Sequence, residues 1–222
     1  MKNLIIVGAR GFGRQIYGQL EDIVGYNTEF VAKGFLDDAS NALDNFPGFP
    51  PILSSVEDYV IQPDDVFIVA LGDPKMRLLY ADKIKQKGGT FISLISKYAY
   101  ISKTVRHIGV GCMIDPFAAI ATDTYIGDFV IIQSSAVIGH DSLIEDGACI
   151  DSQSFLGGFA HIKKGAYLAT GAKLMPHVTV GEFANINACS LVVKDVPDGE
   201  SVMGIPAQPS RKWLRMIFSG TK

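Results

Sequence analysis

The chain has few cysteines, no strong charge bias and no long apolar run. Its three cysteines, Cys112, Cys149 and Cys189, are odd in number and lack metal-site spacing, so we expect no disulfide framework and a reducing compartment. The 20 basic and 23 acidic residues include no Lys/Arg-rich run, which argues against nucleic acid as a partner. No apolar segment approaches the roughly 18 residues of a membrane span, and Met1–Gly8 is too short for a signal peptide. We therefore expect a soluble, cytoplasmic protein without membrane insertion.

What the chain does have is an aliphatic residue at every sixth position from Ile108 to Val192. All fifteen of these positions hold Ile, Leu or Val, and the position four further on holds only Ala, Ser, Thr, Cys or Val. This is the hexapeptide signature of a parallel β-helix, in which three hexads form one triangular coil. Helices of this class are left-handed, so we expect a left-handed β-helix of five coils. Ile101 and Val105 are predicted to add a strand that is offset by one residue.

Residues 1–96 lack this repeat and instead alternate short apolar runs with helical patterns. Strands are predicted over 4–7, 30–36, 66–71 and 91–95, and helices over 14–24 and from 74 to about 87. Ser54, with Glu57 three residues later, is interpreted as the N-cap of a further short helix. The sequence therefore predicts a Rossmann-like α/β domain over 1–96 and an all-β domain over 97–222. An amphipathic helix over 213–218 is predicted to cap the last coil.

A glycine-rich turn, Gly8–Gly13, joins the first predicted strand to the first helix. Backbone N–H groups at such a helix start favour an anion, and glycine allows the close approach of a phosphate. The order is GxxGxG rather than the GxGxxG of dinucleotide folds, which disfavours a nicotinamide oxidoreductase. Asp37 and Asp38 follow the next strand, where a ribose or base contact would lie. We interpret this region as a site for a nucleotide or phosphorylated ligand, the alternative being a purely structural turn.

His140 and Asp141 form the clearest catalytic candidate of the repeat region. A histidine can act as general base near neutral pH, and a neighbouring carboxylate orients the ring. The offset of His140 from Ile138 predicts that it faces outward on a flat side of the prism, where the alternative is a solvated surface histidine. A zinc site shared with His177 is disfavoured, because two coils separate the histidines by roughly 10 Å. Cys149 has no local partner that would make it an acyl-carrying nucleophile.

Together these features resemble the sugar O-acyltransferase family of the hexapeptide-repeat acetyltransferase superfamily, typified by sialic-acid O-acetyltransferases and bacillosamine N-acetyltransferases. The resemblance covers essentially the whole chain. It rests on the glycine turn, the segments 35–38, 70–73 and 93–97, the hexads, the triplet Gly139-His140-Asp141 and the closing segment 204–207.

The resemblance implies an acetyl-CoA-dependent transferase that works as a homotrimer without a metal, with active sites between neighbouring prisms. The histidine matching His140 removes a proton from the acceptor's amine or hydroxyl, and the carboxylate matching Asp141 strengthens that base. The glycine matching Gly158 offers a backbone N–H to the thioester oxygen. Coenzyme contacts are implied for Cys149, Gly158, Thr170 and Ala188. Contacts to the nucleotide part of a sugar are implied for Gly8, Arg10, Gly11, Phe12, Gly13, Asp37, Asp38 and Gly72.

The chain departs from its relatives at three of these positions. Relatives with a known nucleotide-sugar substrate carry Ser and His where this chain has Arg10 and Phe12, and Arg10 adds a candidate phosphate partner. A second histidine near the acetyl group is replaced by Cys149. We expect transfer of an acetyl group from acetyl-CoA to a nucleotide-linked sugar in surface-glycan synthesis. The alternatives are a small acceptor such as an amino acid, and a catalytically silent trimeric scaffold.

Overall fold

The computed structural model describes residues 1–213. The chain divides into two compact units. Unit 1 comprises Met1–Lys97 with Val110–Cys112, and unit 2 comprises Tyr98–Gly109 with Met113–Lys222.

Unit 1 is built on a five-stranded, all-parallel sheet of order β3-β2-β1-β4-β5. Its strands are β1 (Lys2–Val7), β2 (Phe30–Leu36), β3 (Ile52–Ser54), β4 (Asp65–Val69) and β5 (Thr90–Phe91), and its helices are α1 (Gly11–Gln19), a 3-10 turn (Leu20–Asp22) and α2 (Pro74–Gln86). The central strands read as near-continuous apolar runs because helices and loops bury both faces of a parallel sheet. The predicted α/β architecture is therefore confirmed, with a further short strand, β6 (Leu94–Ile95), before the repeats.

Three local predictions in unit 1 need correction. Ser54 does not cap a helix, because it ends strand β3, and the turn after it is held by the Ser55 hydroxyl, which accepts from the Asp58 N–H at 3.1 Å. Helix α1 begins at Gly11, three residues before the predicted start, since the glycine turn itself forms its first turn. The predicted strand over 91–95 is split into β5 and β6. The predicted start of α2 is confirmed: Asp73 caps it by accepting from the Met76 N–H at 2.9 Å.

Unit 2 is a solenoid of two-residue parallel strands, one for every hexad. The first sheet has the order β22-β19-β16-β13-β10-β7, the second β20-β17-β14-β11-β8 and the third β24-β23-β21-β18-β15-β12-β9. The strands are β7 (Tyr100–Ile101), β8 (His107–Ile108), β9 (Met113–Ile114), β10 (Ala119–Ile120), β11 (Tyr125–Ile126), β12 (Ile131–Ile132), β13 (Val137–Ile138), β14 (Leu143–Ile144), β15 (Cys149–Ile150), β16 (Phe155–Leu156), β17 (His161–Ile162), β18 (Tyr167–Leu168), β19 (Lys173–Leu174), β20 (Thr179–Val180), β21 (Asn185–Ile186), β22 (Leu191–Val192), β23 (Ser201–Met203) and β24 (Gln208–Pro209). In each repeat strand the second residue is the predicted aliphatic one.

The aliphatic positions form the core of this solenoid. Apart from the half-buried Ile108, every one of the fifteen predicted residues is at most 1% exposed. Strands that pair are eighteen residues apart, so each aliphatic side chain stacks on its equivalents one coil above and below. The predicted β-helix with five coils of hexads is confirmed, as is the offset strand β7, whose Ile101 pairs with Ile120. Val105 lies outside any strand.

The corners depend on a position that the sequence analysis did not single out. The residue three after each aliphatic one from Ile108 to Ile186 has a left-handed backbone, including bulky residues such as Phe117 (φ 63°) and Phe159 (φ 59°). L-residues adopt this region at a cost, which the surrounding ladders of hydrogen bonds have to offset. The small residue predicted to turn the corner comes directly afterwards and is buried inside it, as with Ala118 and Ala160.

The last coil is followed by an antiparallel pair, β23 with β24. Gly204 packs closely against the indole of Trp213. A side chain on residue 204 would not fit there, since its Cβ would lie 2.5 Å from the ring atom Cζ2. The remainder of the predicted capping helix lies outside the described residues. Within residues 1–213, no helix combines the length and apolar character needed to cross a membrane.

Candidate active site

Unit 1 contains a cavity of about 600 Å³ at the carboxyl ends of its strands. The predicted residues Gly8, Arg10, Phe12, Asp37, Asp38 and Gly72 all line it. Its floor is apolar, formed by side chains such as Val7, Leu36 and Ala70, and its rim carries the acidic and basic groups. This is the edge of an open parallel sheet at which ligands of α/β folds generally bind.

The glycine turn is held in place by close backbone contacts. A Cβ on Gly13 would overlap the Gly8 carbonyl, so only glycine allows α1 to start against the end of β1. Asp37 fixes the turn from the side, with one oxygen accepting from the Ala9 N–H at 2.8 Å and the other from the Ala39 N–H at 2.9 Å. Asp37 therefore has a structural role in the absence of any ligand.

Asp38 has a partner that the sequence analysis missed. The hydroxyl of Tyr80, on α2, donates to Asp38 Oδ2 at 2.6 Å, and this bond raises the pKa of Tyr80 to about 12. The loop that contains Gly72 is held from beneath by the buried Arg77, whose Nη1 donates to the carbonyls of Leu71 at 2.7 Å and Gly72 at 3.1 Å. The sequence signal that could have identified Tyr80 was its position in the predicted helix, seven residues after the helix cap Asp73.

In unit 2, His140 and Asp141 lie at the corner between the first and second sheets, not on a flat side as predicted. The correction follows from the corner geometry, since the turn occupies the second and third residues after Ile138. His140 Nδ1 is 2.8 Å from Asp141 Oδ2. Asp141 Oδ1 lies 3.4 Å from Nη2 of Arg106, a residue that the sequence analysis missed. Because the carboxylate can only accept, Nδ1 carries the hydrogen of a neutral ring and Nε2 presents its lone pair.

Gly158 lies one coil below His140 in the same corner. A Cβ on Gly158 would lie 2.6 Å from His140 Nε2, so the glycine leaves the space that the ring occupies. Among residues 1–213, the Gly158 N–H donates to no other group, whereas its carbonyl accepts from the His177 N–H. A free backbone donor therefore lies beside the basic nitrogen of the histidine.

An aromatic stack closes the lower side of this corner. The Phe159 ring meets the His140 ring edge-on, at 5.2 Å and 86°. The His177 ring lies flat on Phe159 at 4.8 Å and 3°. Phe159 thus separates the two histidines, and no cluster of three or more metal-ligating side chains occurs in the described part of the chain. The sequence analysis missed the exposed Phe159. Its spacing of eighteen residues from Asp141, which is one coil, could have indicated that it shares this corner.

The remaining predicted coenzyme residues lie elsewhere in unit 2. Thr170 and Ala188 are exposed at the corner between the third and first sheets. Their chain neighbours Gly171 and Cys189, together with Lys173, line a cavity of about 570 Å³, but Thr170 and Ala188 themselves do not. Cys149 lies on the third sheet and is 1% exposed, with its Sγ 3.5 Å from Asp151 Oδ1.

The predicted residues of unit 2 therefore form two groups. His140, Asp141 and Gly158 share one corner, whereas Cys149, Thr170 and Ala188 lie on or beside the third sheet. The first sheet lies between the two corners. One hexad crosses it, and six residues of chain span at most about 20 Å. A single chain does not bring these groups together.

The solenoid and its corner histidine define the class of hexapeptide-repeat, left-handed β-helix proteins. Residues 3–84 match the family model of the PglD N-terminal domain. Over 94% of this chain, the structure is similar to perosamine N-acetyltransferase from Caulobacter crescentus in complex with CoA and GDP-perosamine, with 25% identity, a TM-score of 0.84 and 97% of that chain covered. It is also similar to the acetyltransferase domain of PglB from Neisseria gonorrhoeae FA1090 in complex with acetyl coenzyme A, with 27% identity, a TM-score of 0.83 and 94% and 98% of the two chains covered.

Curated relatives match over shorter segments. A serine acetyltransferase of Bacillus pumilus is 54% identical over 43 residues, which is 19% of this chain and 20% of the relative. A UDP-3-O-acylglucosamine N-acyltransferase of Caulobacter sp. is 45% identical over 53 residues, 23% of this chain and 16% of the relative. The match thus spans about a fifth of the length of these relatives. These relatives and solved structures are acetyltransferases and acyltransferases, and this chain is similar to them in fold and over the segments given.

Proposed function

We propose that this protein is an acetyl-CoA-dependent N-acetyltransferase that acts on the amino group of a nucleotide-linked sugar. One observation carries the proposal: His140 is fixed through Nδ1 by Asp141, while its Nε2 lies beside the free N–H of Gly158. A positioned base next to an unpaired backbone donor is the arrangement that acyl transfer requires. The general base, the assisting carboxylate and the oxyanion donor are the roles that the resemblance implies for these three residues.

The residues at this corner can transfer the proton and stabilise the charges that develop during acetyl transfer. Acetyl-CoA supplies a thioester as the acyl donor. His140 Nε2 accepts a proton from the acceptor amine as its nitrogen attacks the thioester carbonyl carbon, and Asp141 stabilises the positive charge that the ring acquires. The Gly158 N–H donates to the carbonyl oxygen, where negative charge develops. His140 then returns the proton to the departing sulfur, so that the amide and free CoA are the products.

The cavity of unit 1 suits the nucleotide part of the acceptor. Its apolar floor can take a base, and the α1 N-terminus offers backbone N–H groups to a pyrophosphate. Arg10 lies at the N-terminus of α1 and lines the cavity, and within residues 1–213 its guanidinium makes no ion pair or side-chain hydrogen bond, so it is available for a phosphate oxygen. One solved relative supports this assignment, because perosamine N-acetyltransferase was solved in complex with GDP-perosamine and its fold matches 94% of this chain.

The separation of the two groups in unit 2 supports a homotrimer. The cavity lined by Lys173 suits the phosphates and pantetheine arm of the coenzyme, but its corner residues Gly171 and Cys189 lie at the opposite edge of the first sheet from His140. A neighbouring copy can bring its own corner against this surface and complete the groove. The first and second sheets expose apolar side chains for such contacts, among them Val137, Phe155 and Leu143. We place the reaction in the cytoplasm, in surface-glycan synthesis.

The test is a thiol-release assay with acetyl-CoA and a panel of acceptors: GDP- and UDP-linked amino sugars, the free amino sugar and serine. We expect turnover with a nucleotide amino sugar and a loss of about 10²- to 10⁴-fold in His140→Ala, with the Kd of acetyl-CoA nearly unchanged. Asp141→Asn is expected to lose less. Near-normal turnover of His140→Ala would overturn the base assignment.

The same panel separates the alternatives. Turnover of serine alone would favour the amino-acid acceptor suggested by the serine acetyltransferase match. Binding of nucleotide sugars and acetyl-CoA without thiol release would favour a silent scaffold. Thermal shift assays with acetyl-CoA and with nucleotides identify which ligands bind in each case.

A further inference from the structure

We propose that Arg106 is a positioning residue of the acetyl transfer and acts through Asp141. The structure places Arg106, Asp141 and His140 in one chain of contacts at the corner between the first and second sheets. The inference rests on the proposed function, since it concerns how the general base is held. Neither the hexads nor the resemblance pointed to Arg106.

The two oxygens of Asp141 have different partners. Oδ2 accepts from His140 Nδ1 at 2.8 Å, and Oδ1 faces Arg106 Nη2 at 3.4 Å. Asp141 lies at a left-handed corner (φ 55°) with its side chain 30% exposed, so the carboxylate has room to rotate into solvent. A cation on Oδ1 holds the carboxylate in the orientation in which Oδ2 meets the ring. Loss of that cation frees the carboxylate and, with it, the ring.

Arg106 is well suited to this task and has little else to do in the described part of the chain. Its side chain is 61% exposed, and within residues 1–213 its guanidinium pairs only with Asp141. An ion pair this exposed adds little to folding stability. The other charged groups near the dyad are Asp123, in the same corner one coil above Asp141, and His177, which lies behind Phe159. Arg106 is thus the cation that contacts the dyad.

The first test reads the ring directly and needs no activity. Histidine-selective 15N NMR at mildly alkaline pH reports the tautomer of each of the four histidines, and His140→Ala identifies the His140 signals. We expect the Nδ1–H tautomer to dominate in the wild type and a mixture of tautomers in Arg106→Gln. Arg106→Lys should restore the wild-type pattern, because the contact involves a single nitrogen. Identical His140 spectra in the wild type and Arg106→Gln would overturn the proposal.

The second test is a double-mutant cycle in the thiol-release assay. Arg106→Gln is expected to lower kcat about 3- to 10-fold, and less than about 2-fold when Asp141→Asn is already present. Equal losses in both backgrounds would show that Arg106 acts independently of Asp141. A rise in the KM of the acceptor at constant kcat would assign Arg106 to substrate phosphate instead. Either result overturns the positioning role.

A matched control breaks a comparable ion pair elsewhere in the solenoid. Lys163 Nζ lies 3.5 Å from Asp198 Oδ1, and Lys163→Gln should leave both the His140 spectrum and kcat unchanged. The outcomes also separate the two proposals. An inactive wild type with a tautomer change in Arg106→Gln refutes the transferase but keeps the contact chain. An active, His140-dependent wild type with no tautomer change refutes only the role of Arg106.

Discussion

The adjacent glycines Gly157 and Gly158 are predicted to have opposite responses to alanine. A Cβ on Gly157 would lie 2.5 Å from the backbone N of Pro176 and 2.9 Å from the carbonyl carbon of Met175, atoms that cannot move without the coil. A Cβ on Gly158 would instead lie 2.6 Å from His140 Nε2 and 2.7 Å from Cε1, at the end of a side chain that can rotate. Gly157→Ala therefore strains the fold, whereas Gly158→Ala displaces the base.

The magnitudes follow from these contacts. Overpacking against fixed backbone costs about 1–3 kcal/mol, so Gly157→Ala should lower the free energy of unfolding by that amount. Gly158 does not have a left-handed backbone, so an alanine there fits the folded backbone and restricts only the unfolded chain. This restriction stabilises the folded state by about 0.4–1 kcal/mol, which offsets the cost of moving the ring. Its stability should change by less than about 1 kcal/mol. A displacement of the ring by about 1 Å is expected to lower kcat roughly 10²-fold.

Both quantities are measured on the same preparations. Denaturant unfolding gives the free energies, and thiol release at saturating acetyl-CoA gives kcat for each variant. The reasoning is refuted if Gly158→Ala keeps more than a third of wild-type kcat, or if the two variants lose stability and activity in parallel. Preservation of the His140 tautomer in Gly158→Ala would also contradict it, because a displaced ring should leave Asp141.

Three further predictions concern single groups. Burial raises the pKa of Asp115 to about 6, so the folded state loses stability as the pH rises from about 4 to 6. Asp115→Asn should therefore be more stable than the wild type by up to about 3 kcal/mol at neutral pH, and no more stable near pH 4. A stability difference that does not depend on pH in urea titrations would contradict this. Tyr80→Phe should remove one tyrosine that titrates near pH 12, as measured by ultraviolet absorbance. It should also weaken nucleotide binding about 3- to 10-fold, because Asp38 loses the hydrogen bond that orients it. An unchanged nucleotide affinity by calorimetry would exclude a role of Tyr80 in positioning Asp38. Gly13→Ala should abolish nucleotide binding because its Cβ overlaps the Gly8 carbonyl, and wild-type thermal shifts with nucleotide would refute the close approach.

Much of the fold could be predicted because its periods are set by backbone geometry. The hexads fix which residues point inward, and every aliphatic position from Ile114 to Val192 is buried as expected. The left-handed corner position was not recognised, because only some of its residues are glycine and a Phe at φ 63° contradicts local preference. The turn at Ser55 was misplaced by one residue for a similar reason: a serine can cap a helix or a single turn, and the strand β3 decided between them.

The candidate site was predictable to the extent that its contacts follow the repeat. His140 and Asp141 are neighbours in sequence, and Gly158 lies eighteen residues on, which is one coil, so their proximity follows from the stacking register. Arg106 is thirty-five residues before Asp141 and reaches it across two coils with a long side chain, a contact that no strand register implies. Repeat geometry thus predicts which backbone positions share a corner, whereas the reach of flexible side chains decides which charges meet there. For this reason the base could be identified from the sequence and the cation behind it only from the structure.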